Sequence, residues 1–250
     1  MRPKLSIIMV TFNSARYIRD AIFSLVDQPF SDWELLVCDG CSTDRTGEIV
    51  ESFGDARIRL FVEPDLGMYH ARNKGLLRAR GEYIGFLNSD DAYIPKTLDL
   101  VAQRISEKGQ DVHVFNMEQI LSDGGVLDYP YWNKPHKLRV RMDLFIPDQS
   151  TFIRRECLSQ LGLYDLKYRI VGDWDFWQRA ILEGLSFDYF DLVIARFYFR
   201  DDSLTFNKSL RRARFREKCS LYYKHNGALN LRRYMGYMYR LIVEETKAIL

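Results

Sequence analysis

The chain has 250 residues, 47% of them hydrophobic, which is enough to bury one large core. No apolar run approaches the roughly 20 residues needed to cross a bilayer, and four scattered cysteines are too few for the disulfide framework of a small secreted domain. The net charge of +2 is distributed unevenly along the chain: residues 208–250 carry eleven Lys or Arg against three Glu, and the remaining residues are mildly acidic. The acidic body argues against nucleic acid as the partner.

The first half of the sequence alternates strand and helix patterns. Strand patterns occupy residues 5–10, 34–38, 58–62 and 83–87, and helical spacing occupies residues 14–28, 43–53 and 68–80. This alternation predicts a parallel sheet that is covered by helices on both faces.

After residue 90 the rhythm changes. Pro95 suits a first helical turn and Gly109 suits a left-handed stop, so we expect a helix over residues 95–108. Strand patterns at 112–121 and 126–129, joined by Ser-Asp-Gly-Gly, predict a hairpin and a mixed or antiparallel second half. We treat residues 1–205 as one α/β domain and residues 206–250 as a basic helical C-terminal extension.

Polar residues follow each strand of the first half. They are Thr11-Phe12-Asn13, then Asp39-Gly40 with Asp44, then Glu63 and Asp65, and finally Asn88-Ser89-Asp90-Asp91. Each set alone could merely cap the next helix, but ligands of open parallel sheets bind beyond the carboxyl ends of the strands. Carboxylates that converge there repel one another unless a cation joins them, and oxygen ligands favour Mg²⁺ or Mn²⁺.

At these positions the sequence resembles the family two glycosyltransferases, which have the GT-A fold and transfer sugars from nucleotide donors with inversion. The motifs that carry the resemblance are SIIMVTFN at 6–13, DGCSTD at 39–44, EPDLG at 63–67, ARNKG at 71–75, and GEY at 81–83 continuing to NSDD at 88–91. The resemblance covers most of residues 5–205. It implies a GT-A-like, Rossmann-like sheet that is mixed but mainly parallel and flanked by helices.

The resemblance also implies roles on the donor side. The implied donor-binding residues are Thr11, Phe12, Asn13, Asp39, Asp65, Arg72, Asp90 and Arg200. Phe12 would stack on the base, although a core position is the alternative for a Phe, and Asp39 would accept a hydrogen bond from a uracil imide. Asp91 is the expected ligand of Mn²⁺ or Mg²⁺, with Asp90 serving the ribose or the metal; the metal would neutralise the departing diphosphate.

On the acceptor side, Asp173 aligns with the family's catalytic base, which opens a helix; a helix cap is its alternative role. The residues expected near the acceptor are Gln149, Ser150 and Trp174. Three positions depart from the family pattern: Gly172 replaces a Glu, Asp148 stands where many relatives have His, and His70 stands where relatives often have Asp.

The implied reaction is metal-dependent transfer of a sugar from a nucleotide-sugar, with a UDP-sugar implied by the resemblance, to a saccharide or lipid-linked acceptor. A nucleotidyltransferase and a non-catalytic nucleotide-sugar-binding partner are the alternatives. The basic extension, with aromatic residues among its arginines, suits an anionic membrane surface; a solvated face or a homodimer contact suits it equally. No signal-peptide pattern opens the chain, so we expect a cytoplasmic protein at the inner face of the membrane.

Overall fold

A computed structural model describes residues 2–128, 146–200 and 208–226. Its strands are β1 (Leu5–Thr11), β2 (Trp33–Asp39), β3 (Ile58–Val62), β4 (Tyr83–Phe86), β5 (Ala92–Tyr93), β6 (Val112–Ile120), β7 (Val126–Asp128), β8 (Thr151–Arg154) and β9 (Phe187–Tyr198). Its α-helices are α1 (Ile18–Val26), α2 (Thr46–Glu51), α3 (Met68–Arg78), α4 (Leu98–Lys108), α5 (Leu158–Leu161), α6 (Gly172–Leu182) and α7 (Arg211–Asn226).

The strands form one sheet in the order β3-β2-β1-β4-β8-β6-β9-β5, with β7 beside β6. The first four strands are parallel to one another, as the alternating pattern predicts. Beyond β4 the sheet is mixed, because β8 runs antiparallel to β4 and β6 while β9 runs parallel to β6. The predicted α/β fold with a mixed sheet is confirmed, and so is the predicted hairpin of β6 and β7.

Two apolar layers cover the two faces of the sheet. Leu5, Ile7 and Met9 of β1 lie in one buried cluster with residues of α1 and α4. Ile8 lies in the other cluster, with residues of α3 and α6. Successive side chains of a strand point to opposite faces, so β1 is buried on both sides of the sheet. Its carboxyl end is therefore where a ligand can reach the strand.

Some helix ends differ from the sequence expectation. Gly109 ends α4 in the left-handed conformation at φ 64°, as predicted. However, α4 begins at Leu98 rather than at Pro95, because Lys96 also has a left-handed φ of 63° and cannot continue a helix. Likewise α1 begins at Ile18 rather than at Ser14, since the backbone of Tyr17 departs from helical geometry at φ −121°.

The described part of the basic extension is α7, and it packs against the same domain. Leu221 is fully buried in a small cluster with Tyr168 and Val171. The Glu217 carboxylate accepts backbone N–H groups of residues 169, 170 and 171 at 2.8–3.2 Å. Within the described ranges no helix has the length and apolar character to cross a membrane. Residues 227–250, on which most of the membrane expectation rests, lie outside the described residues.

Candidate active site

A cleft of about 850 Å³ opens beyond the carboxyl ends of β1 and β4, and we call it the main cleft. Residues expected to bind the donor lie on its wall, namely Thr11, Phe12, Asn13, Asp65, Arg72 and Asp90. Asp148, Gln149, Asp173 and Trp174 line it as well. The structure therefore brings the donor-side and acceptor-side candidates, which are up to 163 residues apart in the sequence, to one cavity. Ligand sites of α/β folds occur at such an edge of the sheet.

The segment after β1 forms a preorganised wall of the main cleft. Phe12 is 61% exposed, so the alternative that it is a core aromatic is wrong. Asn13 takes a left-handed φ of 50°, and its side-chain oxygen accepts the Thr43 N–H at 2.8 Å. The Thr11 hydroxyl is buried and finds no hydrogen-bond partner among the described residues. An exposed ring on a fixed turn is suited to stack on a flat ligand.

Asp39 does not line the main cleft. It is 3% exposed, and its carboxylate accepts both the backbone N–H and the hydroxyl of Ser42. It borders a narrow adjoining crevice together with Asp65, which lines both spaces. A Cβ on Gly40 would lie 2.6 Å from the Asp65 carboxylate and 3.6 Å from the Phe12 ring. Asp39 is thus followed by a glycine that lies between the Asp65 carboxylate and the Phe12 ring, where a Cβ would crowd the Asp65 carboxylate.

The adjacent acids Asp90 and Asp91 have different environments. Asp90 lines the main cleft, and the Arg200 guanidinium lies 3.8 Å from its carboxylate. Asp91 is 1% exposed and accepts hydrogen bonds from Asn88, Gln149 and the backbone N–H of Tyr198 at 2.9–3.1 Å. Burial, and then the neighbouring Asp90 charge, raise the pKa of Asp91 to about 7. Asp90, rather than Asp91, faces the space that a ligand would occupy.

The carboxylate oxygen atoms at Asp90 fit a divalent metal that takes most of its ligands from a substrate. The described residues contain no group of three or more His, Cys, Asp or Glu side chains that could hold an ion alone. Mg²⁺ is commonly bound through one or two carboxylates together with substrate phosphates and water. The cleft-facing carboxylate of Asp90 meets that requirement, whereas the oxygens of Asp91 are directed to other protein groups.

Arg72 is not a loose surface cation. It is 3% exposed and forms an ion pair with Asp148, which is 6% exposed. Trp177 donates its indole N–H to the same carboxylate at 2.6 Å. The Arg72 guanidinium also lies 4.9 Å from the centre of the Phe86 ring. This buried pair neutralises Arg72 and fixes the wall of the cleft between β4 and α6.

Asp173 lies in the first turn of α6 and lines the main cleft, as Phe12 does. The Tyr69 hydroxyl donates to Asp173 Oδ1 at 3.0 Å. Burial, and then repulsion by Asp148, raise the pKa of Asp173 to about 6, while Arg72 and the Tyr69 hydrogen bond oppose the rise. A carboxylate with this pKa is largely ionised at neutral pH and is a stronger base than an ordinary Asp.

Two departures from the family pattern have a local explanation. A Cβ on Gly172 would lie 2.8 Å from the Tyr69 ring, so glycine is what allows this ring to reach Asp173. His70 accepts the backbone N–H of Leu66 through Nδ1 at 3.0 Å. An Asp at position 70 could offer the same kind of acceptor to the turn that leads into α3.

The acceptor-side candidates separate into three groups. Trp174 lies on the wall of the main cleft. Gln149 also reaches that wall, but its amide holds Asp91. Ser150 is fully buried and donates to the backbone carbonyl of Phe115, so its expected place beside the acceptor is wrong. Asp175, the other acid of this segment, is fully buried; burial raises its pKa, but contacts with His225, Lys224 and Arg179 outweigh that effect and lower the pKa overall.

Several residues that line the main cleft were not expected in a site, because no motif or pattern in the sequence indicates them. They are Tyr17, Tyr69, Met117, Gln119, Phe197, Phe199, Arg214 and Lys218. Arg200, expected at the donor, stacks its guanidinium 3.7 Å from the Tyr17 ring centre. The basic character of the extension is visible in the sequence, but its return to the cleft through Arg214 and Lys218 depends on how α7 docks.

Comparison with known proteins places these features in a family. Residues 6–158 match the family model described as Glycosyl transferase family 2. The chain is 28% identical over 213 residues to the putative teichuronic acid biosynthesis glycosyltransferase TuaG of Bacillus subtilis (strain 168), covering 83% of each chain. It is 32% identical over 204 residues to a PGL/p-HBAD biosynthesis glycosyltransferase of Mycobacterium bovis (strain BCG / Pasteur 1173P2), covering 78% of this chain and 77% of that protein.

Solved structures share the fold. The S. aureus TarS 1–349 structure in complex with UDP-GlcNAc superposes with a TM-score of 0.72 at 22% identity, covering 96% of this chain and 71% of that chain. A TarS structure of a longer chain matches with a TM-score of 0.67 at 22% identity, and there the alignment spans only 42% of its length.

Proposed function

The chain belongs to glycosyltransferase family 2, and we propose that it moves a sugar from a UDP-sugar to an acceptor hydroxyl by a single displacement with inversion. The family membership and the glycosyltransferase class expected from the motifs are thereby confirmed, and a nucleotidyltransferase is set aside. One observation carries the proposal: the exposed Phe12, Asp90 and Asp173, whose pKa is raised, line the same cleft.

We propose that the nucleotide lies along the segment after β1. The exposed ring of Phe12 would stack on the base, and Asp39, behind Gly40, would accept its imide hydrogen. Thr11, Asn13 and Asp65 complete this part of the wall. The UDP and UDP-GlcNAc found with S. aureus TarS support uracil as the base.

The diphosphate would lie at Asp90. A Mn²⁺ or Mg²⁺ held by Asp90 and the donor phosphates supplies Lewis-acid neutralisation of the departing diphosphate when it is bound. Arg200, whose guanidinium is 3.8 Å from the Asp90 carboxylate, would contact the same diphosphate. Arg72 contributes by holding Asp148 and the cleft wall rather than by contacting phosphate directly.

Asp173 is the proposed general base. An acceptor hydroxyl is a poor nucleophile until its proton is removed in the transition state, and a partly buried carboxylate with a pKa of about 6 is suited to that task. Tyr69 fixes the orientation of this carboxylate through its hydroxyl. The sugar leaves the diphosphate as the deprotonated acceptor oxygen attacks its anomeric carbon, which inverts that centre.

The acceptor is proposed to be a saccharide or lipid-linked intermediate of surface polysaccharide or glycolipid synthesis, in line with the printed names of the two curated relatives. We also propose a cytoplasmic enzyme whose basic residues 227–250 contact an anionic membrane surface. Removing those residues should lower sedimentation with vesicles that contain anionic lipid. Unchanged sedimentation would refute the membrane contact but not the reaction.

The donor assignment can be tested by thermal unfolding of the purified chain with UDP-glucose, UDP-GlcNAc, GDP-mannose and dTDP-rhamnose, with and without Mn²⁺. Ligand that binds only the folded state raises the unfolding temperature. We expect the UDP-sugars with Mn²⁺ to give the largest rise in unfolding temperature. Asp90→Asn should remove the part of that rise that depends on Mn²⁺. We also expect the wild type to release UDP from the donor that it binds. A chain that binds a UDP-sugar and never releases UDP would instead be a non-catalytic binding partner.

A further inference from the structure

Tyr17, which no motif in the sequence indicates, lies on the wall of the main cleft. It immediately precedes α1 and is half-buried. The guanidinium carbon of Arg200 lies 3.7 Å from the centre of its ring, well within the range of a cation–π contact. This contact joins the start of α1 to the segment that follows β9.

The Arg200 guanidinium is held by Asp90 and by two aromatic rings. Its Nη2 donates to the backbone carbonyl of Asp90 at 3.1 Å, and its Nε lies 3.8 Å from the Asp90 carboxylate. Nε is buried and finds no hydrogen-bond partner within the described parts of the chain. The Tyr198 ring centre is 5.1 Å from the guanidinium, so Tyr17 is the closer of the two rings. The plane of the guanidinium is therefore fixed chiefly by the Tyr17 ring.

The contact between Arg200 and Asp90 lies at the place assigned to the donor diphosphate. Their side chains are partly exposed, 24% for Arg200 and 31% for Asp90, and Asp90 lines the main cleft. A displaced Arg200 would release the Asp90 backbone carbonyl and would remove a positive charge from beside the Asp90 carboxylate. A change at Tyr17 would thus reach the diphosphate through these two residues.

We propose that Tyr17 is a positioning residue for the donor diphosphate: it holds Arg200 against Asp90 and so fixes the two charged groups that are assigned to the diphosphate. This inference rests on the proposed function, which makes that assignment. Tyr17 acts through Arg200 and not by binding the donor itself. Its loss should therefore weaken binding of the diphosphate and leave unchanged the binding of the uridine part, which is assigned to Phe12 and Asp39.

The test measures the binding of UDP and of uridine to the full chain by calorimetry with Mn²⁺ present. The wild type should bind UDP more tightly than uridine. Tyr17→Leu removes the ring and should lower UDP affinity roughly five- to thirtyfold, the equivalent of one partly desolvated cation–π contact, while uridine affinity changes less than about twofold. Tyr17→Phe keeps the ring and should bind UDP as the wild type does. Equal losses in both variants would overturn the proposal, because the hydroxyl would then contact the donor directly.

A double-mutant cycle with Arg200→Gln measures whether Tyr17 acts through Arg200. Arg200→Gln should lower UDP affinity at least as much as Tyr17→Leu, and the double variant should bind UDP no more weakly than Arg200→Gln alone. If the two losses multiply, Tyr17 acts independently of Arg200 and the proposal is overturned. Arg16→Gln is the matched control, because the exposed Arg16 guanidinium is also near the Tyr17 ring, at 5.2 Å, and its removal should leave UDP affinity unchanged.

The two probes separate failure of this proposal from failure of the proposed function. Equal losses of UDP and uridine affinity in Tyr17→Leu would mean that Tyr17 supports the cleft wall in general, which overturns its positioning role but leaves UDP binding in place. A wild type that binds UDP no more tightly than uridine would refute the diphosphate assignment, and the role of Tyr17 with it. A wild type that binds neither probe would refute the proposed function itself.

Should Tyr17→Leu unfold, Tyr17→Met is the second variant. Met fills space of irregular shape and has no ring face on which a guanidinium can stack. We expect it to lose UDP affinity and to keep uridine affinity. Wild-type UDP affinity in Tyr17→Met would overturn the proposal.

Discussion

The hydroxyl of Tyr69 donates to Oδ1 of Asp173 at 3.0 Å, and the ring that carries it occupies the space that a Cβ at position 172 would need. Tyr69 is itself 3% exposed, and burial raises its pKa well above the usual value, so the hydroxyl remains a donor at any working pH. The orientation and the proton affinity of the proposed base therefore depend on a tyrosine that lies 104 residues earlier in the chain.

Replacing Tyr69 by Phe should raise the pKa of Asp173 further, because the lost hydrogen bond stabilises the ionised carboxylate. We expect the acidic limb of the kcat/KM profile to move to higher pH and turnover at pH 7 to fall by roughly tenfold. Tyr83→Phe is the matched control, since its hydroxyl contacts the Gln110 carbonyl instead. Coincident pH profiles for wild type and Tyr69→Phe would remove the tyrosine from the mechanism.

The wild-type enzyme should lose activity as the pH falls through about 6, where Asp173 takes up a proton. The same shift affects stability in the opposite sense. Because the folded pKa is raised, the folded state holds more protons than the unfolded state between pH 4 and 6, and the contribution of Asp173 to stability declines as the pH rises through this window.

Asp173→Asn removes that unfavourable charge and should increase the free energy of unfolding at pH 8 by on the order of 1–2 kcal/mol. The gain should shrink toward pH 4, where the wild-type carboxyl is protonated too. Denaturant unfolding at both pH values measures it. A variant that is less stable than wild type at pH 8 would mean that Asp173 is held by favourable contacts rather than strained by burial and Asp148.

Gly172→Ala should displace the Tyr69 ring, because the new Cβ would be 2.8 Å from it. We expect a loss of roughly 1–3 kcal/mol in stability, the usual cost of overfilling a well-packed site, and a larger loss of turnover than of UDP affinity. Gly47→Ala is the control, since its Cβ would meet nothing closer than 3.9 Å in helix α2 and should be neutral or stabilising by up to about 1 kcal/mol. Equal effects of the two substitutions would show that Tyr69 tolerates displacement.

Glu217→Ala should leave three backbone N–H groups before α6 without their acceptor. We expect a loss of roughly 1–3 kcal/mol in stability and faster hydrogen exchange over residues 169–171. Glu48→Ala, which removes a surface acid paired with exposed Arg45, should cost less than about 1 kcal/mol. If exchange over this segment does not change, α7 does not hold the loop that precedes Asp173.

Those parts of the molecule that follow from local pattern could be predicted from the sequence. The strands and helices from β1 to α3 follow from apolar spacing, and the polar residues after β1 and β4 identify the edge of the sheet where the cleft lies. The family motifs identify Phe12 and Asp173 as site residues, and the ligands that they bind remain predictions.

The rest depends on contacts between distant segments. Asp90 and Asp91 are adjacent in a turn without periodicity, so the local sequence does not show which of them faces the cleft. Hydrogen bonds to Asp91 from Gln149 and Tyr198, which no local pattern indicates, decide it. Ser150 is buried for the same reason, because its hydroxyl is used by the β6 backbone. Arg214 reaches the cleft only because α7 folds back onto the start of α6.

The most direct measurement compares wild type and Asp173→Asn in UDP-sugar binding and in release of UDP at pH 8 with Mn²⁺. We expect both proteins to bind the UDP-sugar with affinities within about twofold, because the proposed role of Asp173 is to accept the proton of the acceptor. We expect the variant to turn over on the order of 100- to 10,000-fold more slowly, the range that a lost general base produces. A variant that binds the donor normally and releases UDP within tenfold of the wild-type rate would show that Asp173 is not the base and that the chemistry lies elsewhere in the cleft.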